Sequence, residues 1–227
     1  MDVQELVRAA RTARLSIDEI GRGMHKSYKN AADLIADAEL LLEHRPERAL
    51  SLAVLAIEEI AKVVLLMNAA VRARRSTISW KDIQEKLDLR SHRHKQAVFA
   101  AYGRVILDKM ASIAGKDMSY KQEVPSGIGP MLDYMKQLGF YVDVVNGQFI
   151  SPAEFGSHNR EWPEWLISAA KERLKRFEPL HETEDKSIEA AHTTSEIISI
   201  FLEAIDEKEF QEKFREFIER KSNSAFS

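Results

Sequence analysis

The sequence predicts a mainly α-helical bundle with one small β-hairpin insertion. Apolar residues recur at three- and four-residue steps through most of the chain, the signature of helices that bury one face. The period changes to a strand-like one only around Asn146-Gly147, the residue pair that best tolerates the two positive φ angles of a type I′ hairpin turn. There is no cysteine, so neither a disulfide framework nor a thiolate metal site can organise the fold.

In chain order, Leu6, Ala9, Ala10, Ala13 and Ile17 mark a first helix, which Gly21 and Gly23 punctuate. Asn30 then caps a second helix with Ala31, Leu34, Ile35, Ala38, Leu41 and Leu42 on its apolar face. Arg45-Pro46 makes a tight turn into a third helix, which runs without a breaker to about Arg75 and forms an antiparallel hairpin with the second. Ser79 followed by Asp82 reads as a capping box for a shorter helix, and another is expected from about Ser91 to Ile113. From Gly115 to Pro130 the chain becomes polar and contains Gly and Pro, so a loop is expected, leading into a short helix that ends near Gly139. Strands over Phe140 to Val145 and Gln148 to Ser151 follow. Helix returns at Trp162, Pro163 and Trp165 and again over Ser187 to Ile205, and a charged amphipathic helix covers Glu207 to Arg220 with Phe210, Phe214, Phe217 and Ile218 on one face. Its 227 residues are read as one domain. The helical core is expected over about 28–113 plus 160–205, the loop and hairpin insertion over about 114–152, and the charged C-terminal helix over about 206–221.

Hydrophobic residues at 44% and charged residues at 30% are the balance of a globular chain rather than a disordered or membrane-spanning one. The N-terminal stretch interleaves Asp2, Glu5, Arg8, Arg11 and Arg14 with its apolar residues, so no secretory signal is expected; with no cysteine, the expected compartment is the cytoplasm. The net charge of −3 hides an asymmetry. Arg72 to Lys95 holds eight Lys/Arg against three acids, while Glu178 to Glu219 holds thirteen acids against four bases. The basic run can attract phosphate, or the acidic tail can neutralise it, or both can be solvated faces.

The third helix carries the most informative pattern. Leu50, Ala53, Val54, Ile57, Ala61 and Val64 form its core stripe, yet Leu52, Leu55, Val63 and Leu66 lie on the far side. Such a helix needs cover on two sides, and a second subunit is one source of it. Into the second surface the sequence sets Ser51, Glu58, Glu59 and Lys62, with Glu58 and Lys62 four residues apart and able to pair. Buried charges cost several kcal/mol unless paired, so these groups either form a structural bridge or line a polar site.

The second cluster, Arg90-Ser91-His92-Arg93-His94-Lys95, stands at the start of an expected helix, where free N–H groups favour an anion. Histidine titrates near neutrality, and a neighbouring cation can stabilise charge on a phosphoryl oxygen. RNA cleavage needs a base for the 2′-hydroxyl, an acid for the 5′-oxygen and a cation for the pentacoordinate phosphate, with no metal or other cofactor. On this reading His94 is the acid/base, Lys95 or Lys62 stabilises the phosphate, Glu58 orients Lys62 or the histidine, and Arg90, His92 and Arg93 bind substrate. A solvent-facing basic helix start is the alternative. His25, His44 and His158 read as surface residues, His192 as a hydrogen-bonded structural one, and Trp80, Trp162 and Trp165 as packing anchors.

Together these segments resemble the AbiV-type abortive-infection proteins of the HEPN (higher eukaryotes and prokaryotes nucleotide-binding) superfamily. The resemblance runs from about Tyr28 to Ile205. It is carried by the helix pair AADLIADAELLLEHRPERALSLAVLAIEEIAK ending at Lys62, by His94-Lys95, and by Leu138-Gly-Phe-Tyr-Val-Asp143 through Phe149-Ile-Ser-Pro152. Family members usually read EE-hydrophobic-G-K on the third helix, and Ala61 here takes the glycine position. The resemblance implies a HEPN-like bundle acting in prokaryotic phage defence through growth or translation arrest, by cleaving or binding RNA. It assigns weight to Glu58, Glu59, Lys62, His94, Lys95, Tyr141 and Asp143. It also implies a homodimer, since superfamily catalysis is associated with an Arg-x(4–6)-His motif contributed by two subunits. Arg90 and His94 are too close for that motif, whereas Arg176 and His181 satisfy it, with Pro179 expected to interrupt the helix between them. A phage-encoded activator or an antitoxin is a further expected partner, and a non-catalytic module that binds a phage protein or RNA is the rival function.

Overall fold

The computed structural model describes residues 2, 12–74, 76–89, 91, 92, 94–96, 98, 128–158, 161–203, 212, 213, 215–217, 219 and 220. The expected helix residues 3–11 and 99–113, the loop over 115–127, Arg90, Arg93, Phe210, Phe214 and Ile218 lie outside the described residues or have undescribed side chains. The protein is mainly α-helical, with two small two-stranded sheets among the described residues.

Helix α1 (Ile17–Leu41) begins at a capping box: Ser16 Oγ accepts from Glu19 N at 3.2 Å, and Glu19 Oε2 accepts from Ser16 N at 3.4 Å. It runs unbroken through Gly21, Gly23 and Asn30, where the sequence suggested a break and a new start. Gly21 serves close approach instead, because a Cβ there would stand 2.6 Å from the Ile188 backbone. The first helix does not extend to Ile17 either. Arg14–Leu15 is strand β1, paired antiparallel with β2 (Ile78–Ser79), and Ala13 O accepts from Trp80 N at 2.8 Å.

Pro46 opens α2 (Pro46–Ala73), where its missing N–H costs nothing, and the short 42–45 link folds this helix back along α1. Buried residues occur all round α2, which touches α1 and four later helices. Ser79 accepts from Asp82 N at 3.0 Å and caps α3 (Trp80–Lys86), whose charges are partly spent in the i,i+4 pairs Lys81–Glu85 and Lys86–Asp82.

Helix α4 (Ile128–Phe140) packs on α2 and buries Leu132, Met135 and Leu138. The hairpin follows as β3 (Asp143–Val145) and β4 (Gln148–Ile150), with Asn146 and Gly147 at φ 53° and 80° as the type I′ turn requires. Ser151 and Glu154 cap α5 (Pro152–His158). Helix α6 (Glu161–His181) continues through Pro179, contrary to expectation; the proline stands two residues from the end, and Glu182 N still bonds Glu178 O at 2.9 Å. Helix α7 (Glu184–Glu203) closes the bundle against α1 and α2. Described parts of the C-terminal segment are helical and seat on α7, with Phe217 buried and Arg220 paired to Glu196. Among the described residues no helix is long and apolar enough to cross a membrane.

The α2–α4 contact depends on one glycine. A Cβ on Gly139 would lie 2.1 Å from Ser51 Oγ and 2.3 Å from the Glu47 carbonyl oxygen, so Gly139→Ala must push the helices apart. We expect a loss of about 1–3 kcal/mol or more, read from urea unfolding. An unchanged midpoint would mean that α4 does not sit this close to α2.

Candidate functional site

Burying an ionised carboxylate requires donors, and Glu58, only 2% exposed in the middle of α2, has four. Its Oε1 accepts from Gln96 Nε2 at 2.9 Å and from Lys136 Nζ at 2.9 Å. Its Oε2 accepts from His92 Nδ1 at 2.5 Å, and Lys95 Nζ stands 3.3 Å away. Burial pushes the Glu58 pKa up, but hydrogen bonds from His92 and Lys136 and the charges of Lys136 and Lys95 outweigh it and hold the carboxyl below its usual range.

Three parts of the chain meet here. Glu58 comes from α2, Lys136 from α4, and His92, Lys95 and Gln96 from the helical residues 92, 94–96 and 98, where Ser91 Oγ accepts from His94 N at 3.1 Å as a cap. Lys136 has a second partner, Asp133, at 3.2 Å. Two carboxylates thus balance two nearly buried ammonium groups, and the His92 side chain, 51% exposed, is the member that faces solvent. A carboxylate only accepts hydrogen bonds, so neutral His92 carries its proton on Nδ1, which leaves Nε2 as the free acceptor.

The buried carboxylate and the basic cluster therefore meet, though not through every residue expected. Lys62 pairs with Glu59 at 2.5 Å rather than with Glu58, because Glu58 turns inward under α4 while Glu59 and Lys62 stay partly exposed beside it. It is His92, not His94, that meets Glu58; His94 is half-buried, and its ring makes none of these contacts. The second cover over Ser51 and Glu58 comes from α4 of the same chain, for Ser51 Oγ donates to Lys136 O at 3.0 Å. Tyr141, between α4 and β3, is 66% exposed, and the Asp143 carboxylate accepts from Val144 N at 2.7 Å; neither joins the group around Glu58.

Within one chain Arg176 and His181 have separate surroundings. Five residues apart, they point about 140° apart on a helix. Arg176 is exposed and pairs with Glu172, whereas His181 is fully buried between Phe177 and Tyr28, with Nδ1 at 2.9 Å from Ser187 Oγ. His25, expected at the surface, is half-buried, and its Nδ1 lies 2.9 Å from His181 O. His192 is exposed and pairs with Asp18 at 2.7 Å. Trp162 and Trp165 pack edge to face but stay 38% and 48% exposed. Among the described residues no group of three or more His, Asp or Glu is placed to hold a metal ion.

Gln96, Lys136 and Asp133 were not anticipated. Lys136 and Asp133 carry the signal that exposed Glu58, a charge inside an apolar helix, here Ile128–Phe140. Gln96 gave no such signal, since an amide just past the first turn of a helix is ordinary.

The family model HEPN_AbiV, described as AbiV, matches residues 19–171, a span that takes in all but the first two residues of α1, and α2, His92, Lys95, Gln96, α4 and the hairpin. The chain belongs to the AbiV family. That membership supports an abortive-infection role in phage defence. Neither the curated proteins nor the solved structures compared with it give a significant match. Within this AbiV-family chain the matched span ends inside α6 at residue 171, so it takes in every residue around Glu58 but neither Arg176 nor His181.

Proposed function

We propose that this AbiV-family chain is an endoribonuclease that works without a metal and arrests growth or translation during phage infection. The observation that carries the reading is the 2.5 Å contact between a buried carboxylate and a half-exposed imidazole, with an ammonium group beside them. His92 Nε2 takes the proton of the 2′-hydroxyl, the 2′-oxygen attacks phosphorus, and the P–O5′ bond breaks to leave a 2′,3′-cyclic phosphate. Lys95 stabilises the charge that builds on the phosphoryl oxygens. Glu58 holds the ring and stabilises its imidazolium form. In-line displacement sets base and acid on opposite sides of phosphorus, so the leaving 5′-oxygen needs a proton from a second group. A homodimer would bring a second imidazole for that purpose.

Purified protein incubated with total RNA in EDTA should release fragments with 2′,3′-cyclic phosphate ends. His92→Ala should slow cleavage by about 10²- to 10⁴-fold with helicity intact, whereas His94→Ala should change it only a few-fold. What favours His92 over His94 is its contact with Glu58. Intact RNA after prolonged incubation would eliminate the nuclease. The second reading, a non-catalytic module that binds a phage protein or RNA, draws support from Val144 and Phe149, cross-strand partners on the hairpin exposed at 49% and 79%, and from Val142 just before it, exposed at 61%.

A further inference from the structure

We propose that Lys136 is a positioning residue: it occupies Glu58 Oε1 so that Oε2 is left to orient the His92 imidazole. The functional consequence rests on the nuclease reading above, while the positioning itself can be measured without any cleavage.

Lys136 is held at both ends. Its carbonyl oxygen accepts from Ser51 Oγ at 3.0 Å, and its ammonium group meets Glu58 Oε1 at 2.9 Å and Asp133 Oδ1 at 3.2 Å. Ser51 and Glu58 are two turns apart on one face of α2, so a single residue of α4 engages both polar groups of that face. Gly139, one turn further along α4, permits the close approach that brings Lys136 within reach.

Gln96 fills the rest of Oε1 at 2.9 Å. Turning the carboxylate away would take from a nearly buried ammonium group the nearer of its two carboxylates and leave Asp133 to balance it, a costly step, so the orientation of Oε2 follows from the seat of Lys136. Oε2 then fixes the imidazole ring and its proton on Nδ1, which leaves Nε2 as the proton acceptor. When Lys136 is removed, Lys95, now 3.3 Å from Oε2, becomes the one ammonium group of the cluster able to compensate both oxygens. In moving between them it competes with His92 Nδ1 for the carboxylate and frees the ring.

The test is ¹⁵N NMR of histidine-labelled full-length chain near pH 8, where a free imidazole is neutral, with the His92 signals assigned by their loss in His92→Ala. The parent chain should show a single Nδ1–H form. Lys136→Met should add the Nε2–H form to a comparable population, and Lys136→Arg, which keeps a charged donor, should restore the parent pattern. If the chain cleaves RNA, Lys136→Met should lower kcat by about tenfold or more with KM nearly unchanged, as expected when a reacting group is misaligned. Should Lys136→Met fail to fold, Lys136→Gln keeps the length and polarity without the charge and gives the same reading. A parent-like spectrum in a folded uncharged variant overturns the proposal. A changed spectrum with no cleavage by any variant leaves the positioning role standing and removes the nuclease.

Discussion

Glu58→Ala should destabilise the chain by about 3–5 kcal/mol, the usual result of removing one partner from a buried ionic cluster. Two ammonium groups drive the effect. Lys95 and Lys136 are nearly buried, and both lean on the Glu58 carboxylate; without it Lys136 retains Asp133, while Lys95 loses its counter-ion. The alanine also leaves a gap in a helix with buried residues on every side. Glu58→Gln separates charge from volume: it fills the space but offers Lys95 and His92 an amide in place of a carboxylate, so most of the loss should remain. Urea unfolding at neutral pH reads both variants, and a Glu58→Gln midpoint equal to that of the parent would show that the cluster does not depend on charge. The same carboxyl predicts acid sensitivity. Its folded pKa is depressed, so its stabilising contribution is present above the unfolded pKa and is lost as pH falls through the folded value.

His181 should make the fold sensitive to pH in a higher window. Burial first, and the nearby His25 second, push its pKa down to about 4 from the ordinary 6.5. The neutral ring is what the folded chain accommodates: Nδ1 meets Ser187 Oγ, and Nε2 is buried without a partner. Above about pH 6.5 the ring is neutral whether folded or unfolded, and it imposes no pH dependence. As pH falls from 6.5 towards 4 the unfolded chain takes up a proton that the folded chain refuses, so stability drops by about 3 kcal/mol across that window. His181→Gln should remove most of this slope, measured as the difference between parent and variant unfolding free energies at several pH values. Parallel curves would show that the imidazole is not sealed in the corner between α6 and α7.

Much of the bundle was legible because it depends on local rules. The α1–α2 turn at Arg45-Pro46, the Ser79 cap and the Asn146-Gly147 hairpin each rest on the backbone preferences of a few adjacent residues, and each stands where the sequence put it. The errors share a cause. Gly21 and Pro179 look like breakers, yet neither breaks its helix: Gly21 is paired with the Ile188 backbone from 167 residues away, and Pro179 lies where the helix is already ending. Helix α4 follows a polar stretch, and its contact with α2 is a tertiary fact that no local pattern carries.

The candidate site divides in the same way. By itself the sequence determined that α2 carries charge inside an apolar helix, that this charge must be compensated, and that a histidine-rich basic cluster lies about thirty residues further on, since these follow from residue types and the cost of desolvation. Which imidazole meets the carboxylate was decided only by tertiary structure. His92 and His94 are two residues apart and point about 160° apart around a helix axis, so the placement of that turn against α2 brings one to Glu58 and turns the other aside. Lys136 could be chosen over Lys62 only once α4 was docked, because a lysine four residues along the same helix and one 78 residues away are equally able to reach a carboxylate until packing fixes which side of α2 it faces.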